Sequence, residues 1–221
     1  MNKKLLVLIF IGIFLVSFIS AFEKEVIYIV TNDPEPAFLI AMDDLGLSYD
    51  VIYHTDVDEF FDFSSYKMIL VNDDYFPNWD LIPINEKPSL VANKDNIHNW
   101  GWAVRATEIS SSGGIYVDAD NSTEFTQNFP NNFKTYTSNY PNIYQLDKYD
   151  IFNGFEKLVY STFDEGDIVV GVINAGTTLS KIGYQDTFVN AKSAFFGITE
   201  SEHWSVESNQ LFKNLLLWLT A

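Results

Sequence analysis

The chain has 221 residues, of which 47% are hydrophobic and 19% are charged, a composition typical of a globular domain and not of a disordered segment. The 13 Lys and Arg against 30 Asp and Glu give a net charge of −17, which argues against nucleic acid or anionic lipid as a partner. The chain has no cysteine, which excludes disulfides, a cysteine nucleophile and zinc held by cysteine.

The N-terminal segment predicts export. Residues 1–4 form a short basic start, residues 5–19 carry no charge, and the small residues that follow offer a cleavage site. The same apolar run is about the minimum length that crosses a bilayer, so an uncleaved anchor is the alternative. The sequence therefore predicts a signal peptide or membrane anchor over residues 1–21, followed by a secreted or cell-surface domain over residues 24–221. Membrane contact is expected only through this segment, if it is uncleaved.

Strands and helices alternate in the first part of the domain. A helix is predicted over residues 37–45, because Pro36 suits a helix start and Gly46 suits a helix end. Short helical pieces are predicted at residues 56–63 and 77–85. Four short apolar runs predict strands, at residues 25–30, 49–53, 66–71 and 89–92. Continuous apolar strands indicate a parallel sheet covered on both faces, hence an α/β fold of the flavodoxin-like doubly wound type.

The alternation is lost in the middle of the chain and returns near its end. Residues 101–149 are rich in Ser, Asn, Thr, Tyr and Gly, and two short runs there predict a peripheral antiparallel β insertion, at residues 114–117 and 133–137. Three later strands are predicted at residues 158–162, 168–173 and 193–197. An amphipathic helix follows at residues 205–219. We find no internal repeat and no linker, so one domain is expected.

The end of the chain resembles a known family. Residues 194–198 (AFFGI), a loop, and then residues 209–219 (NQLFKNLLLWL) are similar to the C-terminal strand, loop and helix of class I glutamine amidotransferase-like domains. The strand–helix pattern over residues 25–92 is compatible with the same family. The resemblance covers about two thirds of the chain and implies a flavodoxin-like α/β fold.

The catalytic parts that this resemblance implies are absent. The family needs a cysteine after about the fourth strand, but residues 91–95 read VANKD. It needs a glycine-rich oxyanion turn after the preceding strand, where residues 72–75 read NDDY and the two carboxylates would repel an oxyanion. It needs His-x-Glu after the last strand, where residues 199–203 read TESEH. We therefore expect no catalytic residues and no glutaminase activity, and the fold alone assigns no function.

Polar loops follow several of the predicted strands. Because open α/β sheets bind ligands at the carboxyl ends of their strands, these loops predict a ligand site. Clustered carboxylates there should raise one another's pKa or recruit a weak cation. The alternatives are solvated loops, and tryptophans that lie in the core with their indole N–H groups bonded to loop carbonyls. The predicted ligand-binding residues are Asp73, Asp74, Asn93, Asp95, Glu200, Glu202 and His203, with Trp100 and Trp102 as walls.

No metal or cofactor is predicted. Residues 118–124 (DADNSTE) begin like a calcium loop, but Thr123 and Phe129 stand where an EF-hand needs Gly and Glu, so a solvated turn is the alternative. Asn121 opens the N-x-S/T sequon of the chain. The three histidines of the chain do not suit a histidine-rich metal site.

Two classes of function remain from the sequence. The first is a non-catalytic exported binding or structural domain at the cell surface, whose ligand or protein partner is unknown. The second is a carboxylate-dependent extracellular hydrolase, glycosidase-like, that acts on a surface polymer and pairs Asp73 or Asp74 with Glu200 or Glu202. Paired carboxylates about 5–9 Å apart in an open cleft would favour the second class.

Overall fold

One large mixed sheet organises the protein. The computed structural model describes residues 24–139 and 141–221, so the predicted leader over residues 1–21 lies outside the described residues. The helices are α1 (Pro36–Asp44) and α2 (Val206–Thr220). The strands are β1 (Lys24–Val30), β2 (Tyr49–Tyr53), β3 (Tyr66–Val71), β4 (Ser89–Val91), β5 (Ala106–Ser110), β6 (Tyr116–Ala119), β7 (Asn132–Lys134), β8 (Asn142–Leu146), β9 (Glu156–Ser161), β10 (Ile168–Ile173), β11 (Thr177–Leu179), β12 (Thr187–Val189) and β13 (Ser193–Phe196).

The parallel half of the sheet confirms the flavodoxin-like prediction. Its strand order is β2-β1-β3-β4-β13, and each neighbouring pair is parallel. The central strands are continuous apolar runs, and the last four residues of β3 are fully buried, as expected for strands covered on both faces. All five strands therefore present their carboxyl ends at the same edge of the sheet.

The antiparallel half confirms the predicted antiparallel strands and is more extensive than the two short runs indicate. Strand β10 pairs antiparallel with β13, and β9, β6 and β7 continue the same sheet. Strand β8 pairs with both β10 and β5. Strands β11 and β12 form a separate two-stranded sheet. The antiparallel strands thus extend the main sheet directly, beyond β13.

Both described helices pack on one face of the sheet. Gly46 ends α1 with a φ of 67°, and Ser205 begins α2 by accepting a hydrogen bond from the Ser208 N–H at 3.1 Å. The rings of Phe38 on α1 and Phe212 on α2 stack at 4.5 Å between centroids. The buried apolar stripe of α2 confirms the predicted amphipathic helix; its members are Leu211, Phe212, Leu215, Leu216 and Leu219.

Loops, not helices, cover the opposite face. The predicted helical pieces at residues 56–63 and 77–85 are wrong, since the structure has only short 3₁₀ turns at His54–Asp56, Phe63–Ser65 and Trp79–Leu81. Asp58 and Asp62 accept hydrogen bonds from backbone N–H groups two residues later, which competes with helix formation, and prolines interrupt the second piece. Within residues 24–139 and 141–221, no helix has the length and apolar character that a membrane span requires.

Candidate functional site

Four loops meet at the edge of the sheet where the parallel strands end. They follow β1, β3, β4 and β13 (residues 31–35, 72–76, 92–96 and 197–203), and we call them together the carboxyl edge. The Tyr28 hydroxyl donates to Asn72 Oδ1 at 2.8 Å and accepts from the Glu35 N–H at 3.0 Å. The Ser201 hydroxyl donates to Glu35 Oε2 at 2.7 Å. These bonds tie the loops after β1, β3 and β13 together, so the topology does bring the predicted site segments to one place.

Asp73 lies at the centre of this edge. Its carboxylate accepts a hydrogen bond from the Thr199 hydroxyl at 3.1 Å and has the Tyr144 phenol in its surroundings. Burial raises the pKa of Asp73 to about 6. Tyr144, Thr199 and Lys94 oppose this rise, and repulsion from Asp74 adds the least to it. The pKa is therefore raised mainly by loss of solvent, and only slightly by the mutual repulsion that the sequence suggested.

Tyr144 reaches Asp73 because β8 approaches β13 very closely. The Tyr144 N–H donates to the carbonyl of Gly197 at 2.8 Å. A Cβ atom on residue 197 would lie 2.0 Å from the carbonyl oxygen of Tyr144, so this position requires glycine. The Lys94 ammonium lies 4.6 Å from the centre of the Tyr144 ring. A strand remote in sequence thus supplies a phenol, and the loop after β4 supplies a cation, to the surroundings of Asp73.

Asn93 occupies the region where the resemblance implies a nucleophile. It is fully buried, its Nδ2 donates to the carbonyl of Asp74, and its Oδ1 accepts from the Asn96 N–H at 2.7 Å. The Asn96 side chain in turn bonds both the N–H and the carbonyl of Phe76, at 2.8 and 3.0 Å. No non-glycine residue in the described part of the chain has a positive φ, so this turn does not have the backbone of a strained nucleophile elbow. Asn93 fastens two loops together and does not face solvent.

The outer part of the edge is an acidic rim, which we define as Glu35, Asp74, Glu200 and Glu202. Burial raises the pKa of Glu35, repulsion from the other three carboxylates raises it further, and the hydrogen bond from Ser201 opposes this. His203 Nε2 lies 3.2 Å from Glu202 Oε1. The sequence did not indicate Glu35, which comes from the loop that leads into α1 and reaches this rim only through the parallel topology.

The remaining predicted site residues are one exposed carboxylate and two buried tryptophans. Asp95 is exposed and pairs with Lys94 at 3.5 Å. Trp100 and Trp102 are 5% and 0% exposed, and their indole N–H groups donate to the carbonyl of Trp79 and to Asn85 Oδ1. Asn85 precedes β4, so Trp102 lies toward the opposite edge of the sheet. The two tryptophans belong to the core, as the alternative interpretation stated, and the prediction that they line the carboxyl edge is wrong.

The calcium-like segment is a turn held by side-chain hydrogen bonds, and Asn121 Oδ1 is left buried without a partner among the described residues. Asp120 Oδ1 accepts from the N–H and the hydroxyl of Ser122 at 3.0 and 2.6 Å, and Asp118 Oδ1 accepts from Asn132 at 2.9 Å. The Asn121 amide donates to the carbonyl of Phe129 and to Asn131. Across residues 24–139 and 141–221, no group of three or more His, Asp or Glu is arranged to hold a metal ion.

Comparisons with known proteins show a similarity of fold only. No protein-family model matches the chain, and no curated protein matches it. A candidate GMP synthase subunit from Thermoplasma acidophilum superposes with a TM-score of 0.51 and 11% identity, over 89% of this chain and 94% of that chain. A glutamine amidotransferase from Methylobacillus flagellatus gives a TM-score of 0.49 and 9% identity, over 89% of this chain and 94% of that chain. The chain therefore has a glutamine amidotransferase-like fold, and its lack of cysteine is consistent with a missing catalytic nucleophile.

Proposed function

We propose that this chain is an exported binding or structural domain at the cell surface, without catalysis of its own, whose ligand binds at the carboxyl edge. The observation that carries the proposal is the use of Asn93, which is fully buried and holds two loops together in the region where a nucleophile is implied. Asp73, in the loop where an oxyanion turn is implied, likewise bonds Thr199 and lies beside Tyr144. An edge that lacks a cysteine and whose polar side chains bond one another suits binding better than glutamine hydrolysis.

The chemistry of the rim supports a ligand rich in hydroxyl groups. A carboxylate that is ionised only accepts hydrogen bonds, and sugar hydroxyls can donate them. Tyr75, next to Asp74, is 56% exposed and offers an aromatic face on which a sugar ring can stack. The leader predicted over residues 1–21 supports export to a place where surface glycans are found. We therefore propose a polyol or glycan as the ligand.

A carboxylate-dependent hydrolase is the second candidate, because burial raises the pKa of Asp73 to about 6. A general acid or base works best with a pKa near the working pH. In this alternative, Asp73 acts with Glu200 or Glu202 on an extracellular polymer, in the manner of a glycosidase. The enclosure of Asp73 by Thr199 and Tyr144 favours the binding function over this one.

A glycan array tests the binding proposal. The purified full-length chain is expected to bind a subset of glycans, and Asp74→Asn or Glu202→Gln should weaken that binding by about tenfold, since each removes a charged hydrogen-bond acceptor. The matched control is Glu86→Gln, which changes an exposed carboxylate ahead of β4, at the opposite edge of the sheet. Binding to no glycan, or binding that all three variants retain equally, would contradict a glycan site at the carboxyl edge.

A further inference from the structure

A pocket separate from the carboxyl edge lies on the antiparallel half of the sheet. It encloses about 290 Å³, and its lining comes from β5, from β8 and the residues after it, and from the turn between β9 and β10. Gln145 lies on the opposite face of β8 from Tyr144, because successive side chains of a strand alternate. The residues with polar side chains that line the pocket are Thr107, Gln145, Asp147, Lys148, Tyr149, Asp164 and Asp167.

Gln145 carries a hydrogen-bond acceptor that the protein does not satisfy. The residue is 1% exposed, and its amide Nε2 donates to Asp167 Oδ2 at 2.8 Å and to Asp164 Oδ2 at 3.2 Å. Its Oε1 has no partner among the described residues. The opposite amide orientation would place Oε1 against two carboxylates, so the assigned orientation is the favourable one. A buried acceptor without a donor is costly, and a ligand N–H group would satisfy it.

The carboxylates of the pocket are only partly neutralised. Burial raises the pKa of Asp167, a hydrogen bond from the Lys148 N–H lowers it, and repulsion from Asp147 and Asp164 raises it further. The Lys148 ammonium opposes this rise more weakly and is held at the carbonyl of Glu165. Arg105 reaches Asp147 from outside at 3.4 Å, and Asp164 is exposed. The pocket thus keeps an excess of negative charge.

We propose that this pocket binds a small organic cation, whose ammonium or guanidinium N–H groups donate to Gln145 Oε1 and to Asp164. An anionic ligand would be repelled by the carboxylates, and a bare metal ion lacks a suitably arranged group of ligands among the described residues. A volume of about 290 Å³ suits a cation with a few carbon atoms, since drug-sized ligands occupy roughly 300–1,000 Å³. The net charge of −17 also steers cations toward the surface.

Calorimetric titration of the full-length chain tests this assignment. We expect 1,4-diaminobutane to bind and 1,4-butanediol, its neutral match, not to bind. Asp164→Asn should weaken diamine binding by about tenfold. Glu165→Gln, an exposed carboxylate on the same turn but outside the lining, should leave the Kd within about twofold of the wild-type value. Both substitutions change exposed side chains, so the fold should persist in each variant.

A further titration distinguishes whether the cationic group belongs to a free amine or to a protein side chain. Nα-acetyl-lysine amide carries the same ammonium group on a protein-like side chain. Tighter binding of this probe assigns the pocket to a protein side chain, and tighter binding of the diamine assigns it to a free amine; both support a pocket for a cationic group. The assignment is overturned if the diamine does not bind at millimolar concentration, if the diol binds equally, if Glu165→Gln weakens binding as much as Asp164→Asn, or if calcium chloride binds more tightly than the diamine.

Discussion

Replacing Phe212 by alanine is expected to lower the free energy of unfolding by about 3–5 kcal/mol. Phe212 is fully buried on α2, and the centroids of the Phe38, Phe196 and Trp204 rings lie 4.5, 5.2 and 4.9 Å from that of its own ring. The substitution leaves a cavity between α1, α2 and the sheet, and the surrounding aromatic rings are too stiff to fill it. Urea denaturation of the full-length chain, followed by tryptophan fluorescence, measures the loss.

The control for this prediction is Leu217→Ala on the same helix. Leu217 is 49% exposed, so its truncation should cost less than about 1 kcal/mol, although both substitutions place alanine in α2. A loss for Phe212→Ala no larger than the loss for Leu217→Ala would mean that α2 is not docked on the sheet. The position of the loop that carries Thr199 and Glu200, just before α2, would then be wrong as well.

A second large effect is expected from the charge of Asp73. Its pKa is raised from 3.8 to about 6, so the folded protein binds this proton more tightly than the unfolded chain does. Protonated Asp73 therefore contributes fully to the free energy of unfolding below pH 4. This contribution falls as the pH rises toward 6, and it is lost above pH 6. The fall amounts to up to about 3 kcal/mol, at about 1.4 kcal/mol for each pH unit. Asp73→Asn removes the titrating group, so its stability relative to the wild type should improve by up to that amount between pH 4 and pH 7.

Two substitutions at Thr199 serve as controls for the Asp73 prediction. Thr199→Val removes the hydroxyl that lowers the pKa of Asp73, so the loss of stability should extend to higher pH than in the wild type. Thr199→Ser keeps the hydroxyl and should follow the wild type. Urea unfolding at a series of pH values provides the measurement. Parallel stability curves for the wild type and Asp73→Asn between pH 4 and pH 7 would show that Asp73 is not buried as described.

The sequence predicts those parts of the fold in which the composition of a short segment reflects its burial. Residues 168–173 (IVVGVI) are continuously apolar and are completely buried as β10. Strand β5, in contrast, reads ATEIS and is half exposed, so its composition does not distinguish it from a loop. Residues 56–63 contain apolar residues at plausible helical spacing, yet Asp58 and Asp62 bond the nearby backbone and form turns. Local hydrogen bonds of this kind outweigh a weak periodicity.

The sequence predicts only those residues of the candidate site that the parallel strand order alone brings together. The parallel order of the strands brings Asp73, Asn93 and Glu200 to one edge, as the sequence indicated. The contact of Tyr144 with Asp73 depends on β8, whose position beside β10 and β13 has no local signal in the sequence. Trp102 follows Asn93 closely in sequence, but the intervening turns carry it toward Asn85 at the other edge. The closeness of Trp102 to Asn93 in sequence therefore did not indicate at which edge of the sheet Trp102 lies.

The most direct test of the proposed function is an assay for catalysis. The purified full-length chain is incubated with L-glutamine, and separately with any glycans that it binds, and the release of ammonia and of new reducing ends is followed. We expect no release above that of boiled protein, because the chain has no cysteine and Asn93 is fully buried between two loops. Ammonia or reducing ends released above the boiled control, and lost in the Asp73→Asn variant, would contradict a non-catalytic binding domain.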